Sequence, residues 1–554
     1  MKKGLLLLLL CILSLALLTS CGGDPSAETT DDPSVEQGEA PEGDGEEKIL
    51  TMSESSGSPS GVFNPLFISD EYDREVCEMI FEALVEVDSY FNVTPCLAES
   101  WEISEDNRTV TFHLRQDVTW QDGEPFTADD VVFTYELLCA PDVNTFYGSY
   151  ASVLQGYEDR KSGAADHCEG IQKVDDYTVT LTTTEPYGLM LTGFVNYIRI
   201  IPEHIWGAVD PATMTEQADL MRNPVGTNCF QLTEFQPDEY LIFDRYDDYW
   251  GGVSEIDRII MRIMTADASL AAALNGELDF GRISSMNPDD IAMYEEAGFT
   301  VEQIYYNSTQ MMTVNNSNPL LSDKRVRQAF AYAIDRAGIV ENLVYGYGTV
   351  ANQPYREGLY CRPDDADMNL YEYNSAEALR ILTEEVGWEY RDGVMYADGT
   401  PVEFTLIYPE GNVARMNSAP VIQEQLGEIG IGIELEIMEF ATLSDRCAAG
   451  DFDLALQAQG PNDPNLRAFY NDGIYNYAQY YNQELDDLFV EAMRHVDQEE
   501  QATYFKQAAL ILNEDMPSIY LYHWYDGRFV ANDLAGVQCT ALTNFYQLIN
   551  WHFE

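Results

Sequence analysis

The chain has 554 residues, and its 95 Asp and Glu outnumber 29 Lys and Arg, for a formal net charge of −66. That balance excludes the basic face that nucleic-acid binding requires, and it opposes electrostatic docking on anionic lipid. At 45% hydrophobic residues the chain is globular in composition, and its length asks for two or three subdomains rather than one core.

Lys2 and Lys3 precede an apolar run from Leu5 to Leu18. About 14 residues suit a signal-peptide core and fall short of the roughly 20 that span a bilayer as a helix. The run ends at Leu18-Thr19-Ser20-Cys21, which resembles a lipobox. The expectation is a cleaved leader, a diacyl (palmitate-type) lipid on Cys21 and a protein anchored on the outer side of the cell membrane. Two acyl chains suffice for stable anchoring. The alternative is an ordinary cleaved leader with an incidental Cys. Gly22 to about Lys48 is rich in Gly, Pro, Ser, Thr, Asp and Glu. Such a stretch buries too little apolar surface to offset its ordering entropy, and it reads as an extended tether.

The body starts near Ile49 with a short strand. Tyr72, Val76, Met79, Ile80, Ala83 and Leu84 follow at helical spacing. Val110, Phe112 and Leu114 alternate as a strand over Thr109–Leu114. After the turn Gln121-Asp122-Gly123-Glu124-Pro125, Thr127 is placed to cap a helix through Leu138, with Asp129 and Asp130 in its first turn. Further strands are predicted at Tyr177–Leu181, Tyr240–Phe243, Ile259–Ile263 and Met311–Asn315. One long helix is predicted from Asp323 to Tyr345, ended by Gly346. Ser375 caps another through Val386. Ile431, Ile433, Leu435 and Ile437 alternate. Late helices cover Gln483–Arg494 and Glu499–Glu514, and a strand over Ile519–Tyr522 follows Met516-Pro517.

One device occurs twice. A helix over Ala271–Asn275 stops at Gly276 and Glu277-Leu278-Asp279-Phe280 enters a strand. A helix over Leu443–Ala449 stops at Gly450 and Asp451-Phe452-Asp453-Leu454 enters a strand. Two lobes built alike, with a cleft between them, are the natural consequence. Eight body cysteines, Cys77, Cys96, Cys139, Cys168, Cys229, Cys361, Cys447 and Cys539, permit disulfides in an exported protein, but their spacing fits neither a redox motif nor a zinc site. Some are expected to be buried thiols.

Several segments together resemble a known family. They are Thr94-Pro95-Cys96-Leu97-Ala98-Glu99-Ser100-Trp101-Glu102, Thr109–Leu114, Trp120–Pro125 and Thr127–Val132. Asn223-Pro224-Val225-Gly226-Thr227, Tyr249-Trp250-Gly251-Gly252, Asp323–Asp335, Asp451–Leu454 and Pro517–Tyr522 follow in order. The chain is similar to extracellular solute-binding protein family 5, the receptors of peptide-type ATP-binding-cassette importers. The resemblance implies an α/β, two-lobed fold of the periplasmic-binding-protein type II class, with an extra subdomain and a cleft. It divides the chain into a signal peptide (1–20), a lipidated tether (21–48), lobe I (49–92, 193–309 and 522–554), an extra subdomain (93–192) and lobe II (310–521). The chain is expected to cross the hinge near Val314 and Leu521. Peptide or another small solute, a membrane permease and its ATPase are the implied partners of a monomeric receptor without cofactor or metal.

In peptide receptors of this kind an Asp ahead of an Asp-Pro-type turn binds the ligand ammonium. Here the stretch reads Gln459-Gly460-Pro461-Asn462-Asp463-Pro464, with Gly460 where that Asp is expected. Asp463 is the candidate, or a simple turn residue. Trp120 is a stacking platform or core. Asn315 bonds a ligand backbone or ends a strand. Tyr408, Tyr522 and Trp524 line an aromatic wall or pack. Arg415 meets a ligand carboxylate or lies on the surface. An enzyme is disfavoured: no Gly-x-Ser-x-Gly elbow and no His-Glu-x-x-His occurs, and the six histidines are scattered. A nickel, opine or glycan receptor, or a sensor, on the same scaffold remains open.

Overall fold

Two long antiparallel strands, Phe299–Val314 and Ser518–Ala531, hold the molecule together. The structure, a computed structural model, describes residues 47–53, 57–68, 70–143, 145–283, 286–460, 464–471, 473–540 and 542–554. Cys21 and Asp463 lie outside the described residues. The two long strands form the middle of one sheet. On one side lie Phe280–Arg282, Ile49–Ser53, Arg258–Arg262, Tyr240–Arg245 and Phe230–Gln236, in that order; on the other lie Leu454–Gln459, Glu403–Pro409 and Gly432–Met438.

The two halves repeat one plan. Ile49–Ser53 runs parallel to Arg258–Arg262 and to Phe280–Arg282, and helix Ala266–Leu274 connects the outer pair. Glu403–Pro409 runs parallel to Gly432–Met438 and to Leu454–Gln459, and helix Phe440–Ala449 connects that outer pair. Gly276 and Gly450 both end their helices at positive φ, 71° and 70°, where a side chain is strained. Each long strand closes the other half's sheet. Phe299–Val314 pairs with Leu454–Gln459 through its second half, and Ser518–Ala531 pairs with Phe280–Arg282 through its second half. The repeated helix–Gly–strand device thus marks equivalent positions in two lobes.

Burial follows the same division. One apolar core draws on Leu50 through Phe280 and on Val530 through Trp551, with Val496. The other draws on Met311 through Tyr522, joined by Val87 and Phe91 from the hairpin Val85–Pro95. The segment after Val93 adds a four-stranded antiparallel sheet, Ala98–Ile103, Thr109–Leu114, Thr178–Thr182 and Ile171–Asp175. Helix Ala128–Cys139 is fixed by a reciprocal cap: Thr127 caps its first turn, and the Asp130 carboxylate accepts the Thr127 N–H at 2.9 Å.

Some predicted elements change. The helix expected from Asp323 to Tyr345 is two, Lys324–Ala333 and Arg336–Leu343. Ile334 turns extended, and the Asp335 carboxylate caps the second helix by accepting the Gly338 N–H at 2.9 Å. The helix expected through Leu84 stops at Ile80, because Ala83 bridges to Arg199 and the chain leaves as a strand. The strands expected at Met311–Asn315 and Ile519–Tyr522 lie, apart from Asn315, within the two long strands, which are buried again at Phe299, Ile304, Phe529 and Val530. Between the buried ends of the second strand, Trp524, Tyr525 and Asp526 are half-buried. Among the described residues no helix is long and apolar enough to cross a membrane.

The segments of the resemblance owe their residue types to packing. Trp120 is fully buried, and its indole N–H donates to Asp130 at 3.3 Å. Tyr249 Oη and Trp250 Nε1 donate to the buried Glu82 carboxylate at 2.8 and 3.2 Å, and Arg115 stacks 3.9 Å over the Trp250 ring. Cys77, Cys96, Cys139, Cys168, Cys229 and Cys447 are buried thiols.

Candidate functional site

The two lobes meet where the register of the long strands breaks. Tyr305 pairs with Tyr525 and Thr309 with His523, so residues 306–308 stand opposite Trp524 alone. Such a bulge locally interrupts the ladder and lets a strand bend. His523 is buried beside it; burial, with Arg356 and Arg362 nearby, lowers its pKa to about 3. The imidazole is therefore neutral and bonds the Thr309 hydroxyl at 3.1 Å.

Next to this break lies a cavity of about 560 Å³. Ser53, Arg282 and Met286 line it from one lobe, Tyr345 and Val413 from the other, and Trp524 from the crossing strand. A second cavity, about 510 Å³, lies within lobe I and the extra subdomain, and Tyr306 reaches its wall. The Tyr306 and Trp524 rings meet edge to face at 5.1 Å, so they stand between these two cavities. A third cavity, about 330 Å³, lies in lobe II behind Met311, Thr313, Gln457 and Gln459. Gln459 is the last strand residue before the segment that contains Asp463.

The fold brings three of the expected residues together. Gln310 pairs across the strands with Tyr522, and the Arg415 Nε–H donates to Gln310 Oε1 at 2.9 Å. Burial lowers the Arg415 guanidinium from its ordinary value, against a smaller upward pull from Tyr522. Tyr522 is itself pushed up to about 12 by burial. Trp524 lies two residues further along the same strand. Arg415 forms no ion pair among the described residues, in a chain where carboxylates abound. Among the described residues the buried Gln310 amide N–H₂ and Trp524 indole N–H meet no acceptor. Buried donors without partners cost about 1–3 kcal/mol each, so a group of them marks a place for a missing acceptor.

The other expected residues lie elsewhere. Trp120 sits in the lobe I core. Asn315 is engaged locally: its Nδ2 donates to the Gly450 and Phe452 carbonyls at 3.1 and 2.8 Å, and its Oδ1 accepts the Ser317 N–H at 3.0 Å. Tyr408 is half-buried near the end of the central lobe II strand. Sequence reading passed over Gln310 and Tyr306.

The family model described as bacterial extracellular solute-binding proteins, family 5, middle, matches residues 92–480. The chain belongs to this family. The oligopeptide-binding protein AppA of Bacillus subtilis (strain 168) is 26% identical over 563 residues, 99% of each chain. The dipeptide-binding protein of Escherichia coli (strain K12) is 27% identical over 497 residues, 85% of this chain and 88% of that one. The structure of Bacillus subtilis AppA in complex with a nonapeptide superposes with a TM-score of 0.68 at 27% identity, over 92% of this chain and 99% of that one. This solute-binding protein therefore has the two-lobed architecture of its relatives. They are substrate-binding proteins of the extracytoplasmic space.

Proposed function

We propose that this solute-binding protein captures peptides outside the cytoplasm, held to the membrane by a lipid on Cys21, and delivers them to an ATP-binding-cassette importer. The observation that carries this reading is the pair of continuous strands crossing between two similarly built lobes beside a cavity lined by both. A solute that touches both lobes stabilises the closed arrangement, and the free energy of closure is its differential contact. The names of the relatives, oligopeptide- and dipeptide-binding, support peptide as the solute. Arg415, with the Gln310 amide and the Trp524 indole, supplies donors for a ligand carboxylate. Asp463, on the segment that follows Gln459, is the proposed partner of the ligand ammonium. No bond is made or broken.

Calorimetry of the mature protein against mixed di- to octapeptides tests the reading. Micromolar or tighter binding is expected. Stabilisation by glycans, opines or nickel complexes, with none by any peptide, would remove peptide as the solute. Asp463→Ala and Arg415→Ala are each expected to weaken peptide binding about tenfold or more. Unchanged affinity removes that residue from the site.

A further inference from the structure

The cavity within lobe I has an unbalanced lining. Four carboxylates, Asp70, Glu71, Glu78 and Glu86, face two guanidiniums, Arg74 and Arg199. The first three are engaged. Asp70 caps helix Glu71–Ile80 by accepting the Asp73 N–H at 2.9 Å. Glu71 and Glu78 both pair with Arg74, and Arg199 lies 3.8 Å from Glu78. The Thr543 hydroxyl also donates to Glu78 at 2.8 Å. Glu86 differs. Its carboxyl has no hydrogen bond or ion pair among the described residues, and it lies deep among its neighbours although the residue keeps some solvent exposure.

The surroundings of Glu86 disfavour its charge. Burial is the main cause, the Glu82 carboxylate adds to it and Arg199 opposes it, and the pKa rises to about 7. Tyr546, Cys96 and Cys229 also feel its charge, and none of them is a cation. Glu82 is no substitute for Glu86 as a site, because Tyr249 and Trp250 already bond its carboxylate. Aromatic rings also line the cavity. Tyr147, Tyr150 and Tyr197 form a chain of rings with centroids 6.2 and 5.8 Å apart. Tyrosine faces attract cations, and a half-buried carboxyl lacking a counter-ion is completed by one.

We propose that this cavity receives a cationic group of the solute, an ammonium or guanidinium, with Glu86 as its counter-ion and the tyrosine rings as its walls. On the peptide reading above, which this deepens, the preferred cargo carries Lys or Arg. Tyr306 in the wall of this cavity and Trp524 in the wall of the interlobe one are in edge-to-face contact.

The test pairs peptides that differ only by Lys against norleucine, titrated by calorimetry at pH 8, with agmatine and cadaverine as cations that are not peptides. The Lys peptides are expected to bind about tenfold to a hundredfold more tightly. Glu86→Gln is expected to erase that preference, and an unfolding transition no lower than that of the wild type shows that the variant is folded. Lowering the pH from 8 to 6 protonates Glu86 in the free protein and is expected to shrink the preference in the wild type alone. Equal binding of Lys and norleucine peptides, or a preference that survives Glu86→Gln, overturns the proposal and spares peptide capture. Binding of agmatine or cadaverine that Glu86→Gln abolishes, with no peptide bound, overturns peptide capture and spares the cation site. Binding of neither class overturns both.

Discussion

Gly226→Ala is expected to loosen the joint between helix Glu71–Ile80 and the turn after Trp120. A Cβ on Gly226 would lie 1.9 Å from the Ile80 carbonyl oxygen and 2.6 Å from its carbon. Both are backbone atoms, so no rotamer relieves the clash and one segment must move. The Gly226 N–H donates to Gln121 Oε1 and its carbonyl accepts the Gln121 N–H, each at 2.9 Å. The Asn228 N–H donates to Ile80 O at 3.0 Å. Overpacking costs about 1–3 kcal/mol, and weakening two of these hydrogen bonds adds about 2 kcal/mol. The sum is about 3–5 kcal/mol. With an unfolding entropy near 1 kcal/mol/K for a body of this length, Tm falls by about 3–5 °C. Differential scanning calorimetry of the ligand-free protein measures this. Gly427→Ala is the control, because it sits in helix Val413–Glu428 with nothing within 4 Å of its Cβ position, and it is expected to be neutral or stabilising. An unchanged Tm for Gly226→Ala would refute the argument that backbone proximity requires glycine in the Asn223–Thr227 segment.

Glu86→Gln is expected to stabilise the ligand-free protein at pH 8 and to have little effect near pH 5. A carboxyl raised from 4.5 to about 7 in the fold holds its proton there more tightly than in the unfolded chain. Its contribution is therefore present below the unfolded value and lost as pH rises through about 7. The full shift corresponds to about 3 kcal/mol, and partial exposure reduces that to about 1–2 kcal/mol. Urea unfolding at the two pH values checks it, and an equal difference at both contradicts the buried carboxyl. Cys21→Ala is expected to release the protein into the soluble fraction; membrane retention of that variant would exclude the lipid anchor.

Local chemistry determined much by itself. The Thr127 and Asp130 cap, the Gly276 and Gly450 stops and the alternation of Thr109–Leu114 each depend on residues within one turn or one strand, and they appear where the sequence placed them. The repeated helix–Gly–strand device also revealed the doubling of the fold, because a helix end at positive φ needs the same residue wherever it recurs. Tertiary structure decided the rest. Trp120 and Asn315 read equally well as ligand contacts or as packing, and only the fold, which set Asp130 on the Trp120 indole and the distant Gly450 and Phe452 carbonyls on Asn315, turned both inward. The two long strands extend past the predicted segments because they pair with each other along their length, which no local alternation announces. Arg415 met Gln310 across about a hundred positions, and Glu86 has no ion pair among the described residues, although Arg199 lines the same cavity. A charge at one position does not encode where its counter-charge lies; packing does, and packing placed Glu86 in the wall of a cavity.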